Sequence, residues 1–265
     1  MIFGKISNVF RSFFLKRKAN AFLDRPVIEP DVFEYVGVIQ FQHQNFKNSK
    51  DFHTKILSLV KVAKMEGSQL VLFPAGMNME LYSVPEESLS RNQISKIEDE
   101  CLKVFSNVAS IEKIYVGYAD LVKGMKIYHF INSNGKSVEG NIFTIYNVKV
   151  AFMDDEIDED VDLILNPCLT KKWAGDYESF GHAWLYSQQK YSYSMESYMV
   201  GDHFTGQSGI YAPIEATESM SGIIKQTQSK ILEETLVAKI DCSILGMVKR
   251  KKSVKDEYAR LLENK

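Results

Sequence analysis

The sequence lacks the features that several protein classes require. Its three cysteines stand far apart with no CxxC pair, which argues against a disulfide framework and a structural zinc site. It has no apolar run of about 18 residues, so it predicts no transmembrane helix. Its five histidines have no metal-ligand spacing such as HxxxH. We therefore expect no metal and no cofactor.

The overall composition is that of a folded globular protein. Hydrophobic residues make up 45% and charged residues 25% of the 265 positions. This length fits one large domain with a core that needs no disulfides. The net charge of −2 provides no general field for nucleic acid, so no nucleic-acid partner is predicted. Because the cysteines do not indicate a disulfide framework, we expect a reducing cytoplasm.

The first 23 residues contain no acid, and their charged residues are all basic. On a helix, the bulky apolar residues fall on one arc and most of the basic ones outside it. This pattern predicts an in-plane membrane anchor or a helix that docks on a partner. Packing against its own domain or a dimer mate, and an organellar transit peptide, remain open alternatives. The predicted contact residues are Phe3, Ile6, Phe10, Phe13 and Phe14, with the basic Lys5, Arg11 and Lys16.

The remaining chain divides into three predicted parts. Residues 24–34 contain Pro26 and Pro30 and form a linker. Residues 35–248 form the main domain, in which strands first alternate with helices, as in a parallel α/β sheet. Further strands follow residue 126, with a hairpin at Asn134-Gly135. Residues 249–265 hold a basic cluster and a last charged helix.

Several stretches of the domain together resemble the nitrilase, or carbon-nitrogen hydrolase, superfamily. VGVIQFQ and GSQLVLFPAGMN resemble its first two strands, and VKVAFMDDE resembles the strand that ends in its cysteine elbow. DVDLILNPC, SMESYMVG, FTGQSGIYAP and ETLVAKID follow in the family's order. The resemblance implies an α-β-β-α sandwich and, in active members, a Glu-Lys-Cys triad that cleaves or transfers carbon-nitrogen bonds.

The triad does not carry over to this sequence. Ala75 stands where the family has its glutamate base, and Met153 stands where it has its cysteine nucleophile. The segment that holds the family's lysine has no room between Gly135 and Val148, and Lys136 lies on the predicted turn itself. The helix after the elbow is also missing, because few residues separate Asp155 from Asp162. The resemblance thus implies a degenerate member.

Three other features could carry chemistry or binding. Cys168, expected just past the strand 162–166, is a possible substitute nucleophile, although no motif assigns it a base; Asp154, Asp155 and Glu80 are the candidates. Seven acids in residues 154–162 are read as a solvated loop, with metal binding or docking of a basic partner as alternatives. The basic run 249–252 is read as solvated. Glu196 is read as structural.

The resulting functional prediction is a pseudoenzyme. We expect a catalytically inactive nitrilase-fold protein that acts as a scaffold, adaptor or regulatory subunit, as a homodimer or with a protein partner. Residues 1–23 could place it at a membrane surface. The alternative is a carbon-nitrogen hydrolase or acyltransferase that acts on amides through a rearranged site at Cys168.

Overall fold

The structure is a computed structural model. It describes residues 32–82, 84, 86–153, 157, 160–172 and 181–250. Packing of the main compact unit begins at Phe33, whose side chain is buried. The predicted N-terminal helix, most of the acidic run and the last predicted helix therefore lie outside the described residues.

Among the described residues, six strands form the first sheet, in the order β5-β4-β3-β2-β1-β12. Its parallel centre is β1 to β3, whose largely buried, aliphatic-rich segments are typical of strands covered on both faces. The strands are β1 Tyr35–Gln42, β2 Leu70–Ala75, β3 Tyr115–Val122, β4 Met125–Ile131, β5 Ser137–Val138 and β12 Glu234–Lys239.

Six further strands in the described part of the chain form the second sheet, in the order β6-β7-β8-β9-β10-β11. Strands β7, β8 and β9 run parallel to one another. The second-sheet strands are β6 Ile142–Ile145, β7 Val148–Phe152, β8 Leu163–Cys168, β9 Tyr193–Val200, β10 Gly209–Tyr211 and β11 Ile223–Gln226.

The two sheets meet where β1 and β9 end. Phe41 pairs with Met199 and Gln42 with Val200, in parallel register. The carboxyl ends of the parallel strands from both sheets therefore lie at the same edge of the molecule. In open α/β folds this edge is where ligands gather.

Helices cover the outer faces unequally. Helix α1, Ser49–Met65, is capped by Asn48, and α2, Arg91–Glu112, begins with a capping box formed by Ser90 and Gln93. Helix α3, His182–Lys190, is only nine residues long. Residues 242–250 are also helical, and a 3-10 helix, Met77–Leu81, follows β2. No helix among the described residues is long and apolar enough to cross a membrane.

The hydrophobic core occupies the spaces between these layers. Helices α1 and α2 pack on one face of the first sheet through side chains such as Phe52, Phe105 and Phe73. The other face of that sheet packs on the second sheet, with Val38 and Leu72 facing the same cluster as Leu165. A smaller cluster outside the second sheet includes Ile164 and receives Tyr186 of α3. These layers confirm the predicted α/β sandwich.

One local feature was not predicted from the sequence, and a second differs from its prediction. Strands β3 and β4 form a hairpin whose turn, Lys123-Gly124, has positive φ at both residues (49° and 80°), a geometry that suits tight hairpins. Cys168 was expected beyond its strand, but β8 runs through it because Pro167 and Cys168 still pair with β9. Strand β7 pairs only as far as Leu165, so Pro167 has β9 as its one neighbouring strand.

Candidate functional site

Ala75 and Met153, which stand at the positions of the family's base and nucleophile, lie at the ends of two strands at the shared edge: Ala75 ends β2, and Met153 directly follows β7. Ala75 is the last residue of β2, is fully buried and pairs with Ala119 of β3. Met153 follows β7, and its backbone N–H donates to the Leu165 carbonyl at 2.7 Å. A methyl group and a thioether have no proton to exchange. These two side chains therefore fill space at this edge and cannot take part in acid-base chemistry.

A thiol lies at the same edge, at the end of β8. The Cys168 side chain is 8% exposed, and its Sγ is 3.8 Å from Oε1 of Glu196 on β9. Burial raises the pKa of Cys168 strongly, and the nearby Glu196 charge raises it further. Lys126 opposes this shift but does not cancel it. The thiol is therefore held in its protonated form in the resting protein.

Glu196 is a carboxyl group within reach of this thiol, and the sequence prediction did not connect the two. Its Oε1 accepts hydrogen bonds from Asn166 Nδ2 at 2.9 Å and from the Ala183 N–H at 3.4 Å. Its Oε2 is buried with no hydrogen-bond partner in the described part of the chain. Burial raises the pKa of Glu196, and hydrogen bonds to its oxygens only partly oppose this.

Lys126 lines the same cavity as Cys168, and the sequence prediction did not identify it as a candidate. A cavity of about 290 Å³ opens at the shared edge and is lined by Lys126, Met153, Asn166, Cys168, His182 and Tyr198, with Leu169 and Thr170. Lys126 reaches it because β4 folds back along β3, which brings the first residues of β4 to the carboxyl end of β3. The Lys123-Gly124 dipeptide was the sequence signal that could have indicated this hairpin.

Glu80 was considered as a base for Cys168, but it has other partners. Its Oε1 lies 2.5 Å from His43 Nδ1, and its Oε2 accepts from the Gln44 N–H at 2.8 Å. The hydrogen bond to Glu80 raises the pKa of His43, and burial raises the pKa of Glu80 despite the imidazole beside it. This pair ties the end of β1 to the 3-10 helix after β2. Asp154 and Asp155, the other candidates, lie outside the described residues.

Most of the remaining candidates lie outside the described residues. Lys249, from the basic run, is described, and its Nζ lies 2.5 Å from Asp160 and 3.6 Å from Asp162. This lysine thus contacts two acids of the acidic run rather than only water. Lys136 is exposed and lies in the β4–β5 turn, as expected. The described residues contain no group of three or more His, Cys, Asp or Glu side chains placed to hold a metal ion.

Comparison with known proteins gives structural matches alone. No family model and no curated protein matches the sequence. An amidase of the nitrilase superfamily from Nesterenkonia AN1, in a cysteine-to-alanine variant, superposes with a TM-score of 0.61 at 12% identity, covering 88% of this chain and 100% of its own. This chain has the fold of nitrilase-superfamily amidases.

Two further structures of that amidase give a similar result. A double variant in complex with acrylamide matches with a TM-score of 0.61 at 12% identity, over 88% of this chain and 99% of its own. A variant with an acetamide moiety added covalently at the active-site cysteine matches with a TM-score of 0.60 at 11% identity, over 88% and 99%. At these identities the likeness establishes the fold and leaves the activity open.

Proposed function

We propose that this protein is a degenerate nitrilase-fold protein without amide-hydrolysing activity, which acts as a scaffold, adaptor or regulatory subunit. The observation that carries the proposal is the chemistry at the shared edge. Apolar Ala75 and Met153 stand at the resembled base and nucleophile positions. The one thiol lining the cavity is buried, and its raised pKa keeps it protonated.

The direct test is a search for turnover and for covalent intermediates. The purified full chain is incubated with amide, nitrile and carbamoyl substrates, and separately with an activated ester in single-turnover amounts. We expect neither product nor a mass increase of the intact protein. A stoichiometric acyl adduct on Cys168, absent from the Cys168→Ser protein, would overturn the proposal.

A rearranged enzyme site is the second candidate, and a specific observation favours it. Cys168, Glu196 and Lys126 supply a thiol, a carboxyl group and an ammonium group in or beside one cavity, although from other sequence positions than the family's triad. In such a reaction the Cys168 sulfur would bond to the substrate carbonyl carbon while its proton passed to Glu196. The C–N bond would then break, with the proton leaving on the amine, and water would release the acyl group.

The proposed scaffold role includes self-association. Homodimerisation follows from the family resemblance, and the short α3 leaves Leu185 half exposed on the outer side of the second sheet. Light scattering of the full chain at micromolar concentration should give twice the mass of 30.3 kDa. A monomeric mass would remove this part of the proposal.

The N-terminal segment is proposed to provide membrane or partner affinity. The test uses the full chain and anionic phospholipid vesicles, with Phe10→Asp placing a charge on the predicted apolar arc. Asn8→Asp adds the same charge on the opposite side of the predicted helix and is the matched control. Phe10→Asp should reduce co-sedimentation at least tenfold more than Asn8→Asp does. Equal effects, or no binding by the unmodified chain, would exclude the vesicle-binding role.

A further inference from the structure

The start of the 3-10 helix Met77–Leu81 is joined to β3 by an amide side chain. Asn78 Nδ2 donates to the Leu121 carbonyl at 2.9 Å, and Asn78 Oδ1 accepts from the Leu121 N–H at 2.9 Å. The Asn78 N–H also donates to Asp120 Oδ1 at 3.1 Å, and Oδ2 of that carboxylate lies 3.0 Å from His129 Nε2 on β4. The two bonds to Leu121 involve no titratable group, so they persist across the range in which histidines titrate.

The end of the same helix is joined to β1 by a carboxylate and an imidazole. Glu80 is fully buried, and its Oε1 lies 2.5 Å from Nδ1 of His43, the residue that follows β1. Its Oε2 accepts from the Gln44 N–H at 2.8 Å, and its main-chain carbonyl accepts from the Phe46 N–H at 2.9 Å. This attachment therefore places a buried charge against a side chain of the type that titrates near neutral pH.

The His43 proton decides whether the Glu80 carboxylate has a countercharge. Loss of one partner from a buried pair is costly, because the remaining charge keeps its desolvation penalty. The hydrogen bond to Glu80 raises the pKa of His43, and burial raises the pKa of Glu80. Both groups thus bind their protons more tightly in the folded chain than in the unfolded chain. Their contribution to stability is complete below the unfolded pKa values and is lost as pH rises through the folded ones.

Among the described residues, the other groups that face this pair do not replace the imidazole charge. Asp202 lies near His43, has the same sign as Glu80 and favours the protonated imidazole. Cys101 of α2 faces Glu80, and burial raises the pKa of its thiol so that it stays neutral. The Phe204 ring packs edge-on against the His43 ring, with centroids 5.2 Å apart. The charge balance at this end of the helix therefore depends on the His43 proton.

Separation of this pair would uncover part of the apolar core. Leu81, at the end of the helix, and Phe46, in the segment after β1, both pack against the core cluster between the helices and the first sheet. The Phe46 ring lies 5.4 Å from that of Phe52 on α1. Once Glu80 leaves its partners, these two side chains lose the hydrogen bonds that hold their backbones together. An apolar surface that appears only in one protonation state can gain or lose a protein partner.

We propose that residues 79–82 form a pH-controlled strap, which is docked on the end of β1 while His43 is protonated and detaches when His43 loses its proton. Asn78 keeps the start of the 3-10 helix in place in both states. This inference goes beyond the scaffold or regulatory role proposed above, to which it adds the proton as a regulatory signal. It requires no substrate and no bond to be made or broken.

The test measures hydrogen exchange of the full chain at pH 6 and pH 9, with rates corrected for the intrinsic effect of pH. The protection of residues 43–46 and 79–82 should fall at least tenfold at pH 9, whereas the protection of helix α2 should not change. NMR titration of the His43 imidazole should give a midpoint above 6.5, the ordinary histidine value. The loss of protection should follow that same midpoint.

Two variants of the pair make opposite predictions. His43→Gln has no charge at any pH, so at pH 6 both segments should exchange as fast as in the unmodified chain at pH 9. Glu80→Gln removes the buried charge but keeps an acceptor for the Gln44 N–H, so both segments should stay protected at pH 9. His53→Gln is the matched control, because His53 also bonds through a ring nitrogen, but to the Asn107 amide at 2.7 Å. It should leave the pH dependence unchanged.

Each outcome has a defined meaning. Equal protection at pH 6 and pH 9, or a loss in Glu80→Gln as large as in the unmodified chain, would overturn the proposal. Removal of the pH dependence by His129→Gln but not by His43→Gln would also overturn it, by assigning the effect to the pair on β3 and β4. Circular dichroism at pH 6 identifies a variant that has lost its fold, and the measurements on the unmodified chain need no variant. Turnover of an amide would contradict only the proposed absence of catalysis.

Discussion

The protein places different chemistry at two pairs of residues on its parallel strands. Where β2 and β7 end, it has the side chains of Ala75 and Met153, which cannot exchange protons. On β8 and β9 it has Cys168 and Glu196, which are titratable and buried together. Both pairs lie at or near the edge where the carboxyl ends of parallel strands meet, with Glu196 four residues before the end of β9. The fold therefore specifies where a site can form, and the side chains at each end decide whether chemistry is possible there.

The largest change in stability is expected when a carboxylate is introduced at Ala75, in the first pair. Ala75 is fully buried and does not line the cavity, so Ala75→Glu should reduce the free energy of unfolding by ~3–5 kcal/mol, the cost of an unpaired buried charge. Met153→Cys, at the half-buried wall, should cost only about 1 kcal/mol. Urea unfolding of both single variants measures the difference. Near-equal stabilities of the two variants would mean that the fold can accommodate a glutamate side chain at the end of β2.

Removal of the Glu196 carboxyl group, in the second pair, should have the next largest effect on stability. Glu196→Ala leaves Asn166 Nδ2 and the Ala183 N–H without their acceptor, and two orphaned buried donors cost ~2–4 kcal/mol. Glu215→Ala, at an exposed carboxylate, should change stability by less than about 0.5 kcal/mol. The comparison is made at pH 5. A loss at position 196 no greater than at position 215 would show that Glu196 does not organise this edge.

The reactivity of Cys168 tests whether the second pair, Cys168 and Glu196, contains an activated thiol. Because burial and Glu196 raise its pKa, Cys168 should react with iodoacetamide at pH 7 at least ~10-fold more slowly than free cysteine. Glu196→Gln should increase the rate, because it removes the charge that disfavours the thiolate. Peptide mass spectrometry separates Cys168 from Cys101 and Cys242. Rapid labelling of Cys168 in the unmodified chain would favour the rearranged enzyme.

The smallest expected effect is a pH dependence of stability that arises from the Glu196 carboxyl group. Its pKa is raised by burial in the folded protein, so the unfolded chain loses this proton at lower pH than the folded chain does. Its contribution to stability is therefore complete below the unfolded pKa and decreases as pH rises toward the folded one. Glu196→Gln has no such proton, so its stability relative to the unmodified chain should improve between pH 4 and pH 7. A constant difference would mean that burial does not raise the pKa of Glu196.

The sequence predicted the layers of the fold better than it predicted the cavity. Apolar runs of valine, leucine and isoleucine indicated β1, β2 and β3, and Ser90 and Gly67 marked helix boundaries that the structure confirms within a few residues. The order of the resembled stretches indicated the sandwich itself. The strands and helix boundaries are local patterns that periodicity and capping are sufficient to read, whereas the sandwich was implied by the family resemblance.

Only the tertiary structure showed that Lys126, Cys168 and Glu196 belong together. They lie on β4, β8 and β9, and no sequence spacing relates them. Their proximity depends on the β3–β4 hairpin, the parallel register of β8 and β9, and the meeting of the two sheets at Phe41 and Gln42. The sequence determined which side chains lack proton chemistry, because that is a property of the residue alone. Burial, pKa and the shape of the cavity arise from contacts between distant segments, which exist only once the chain has folded.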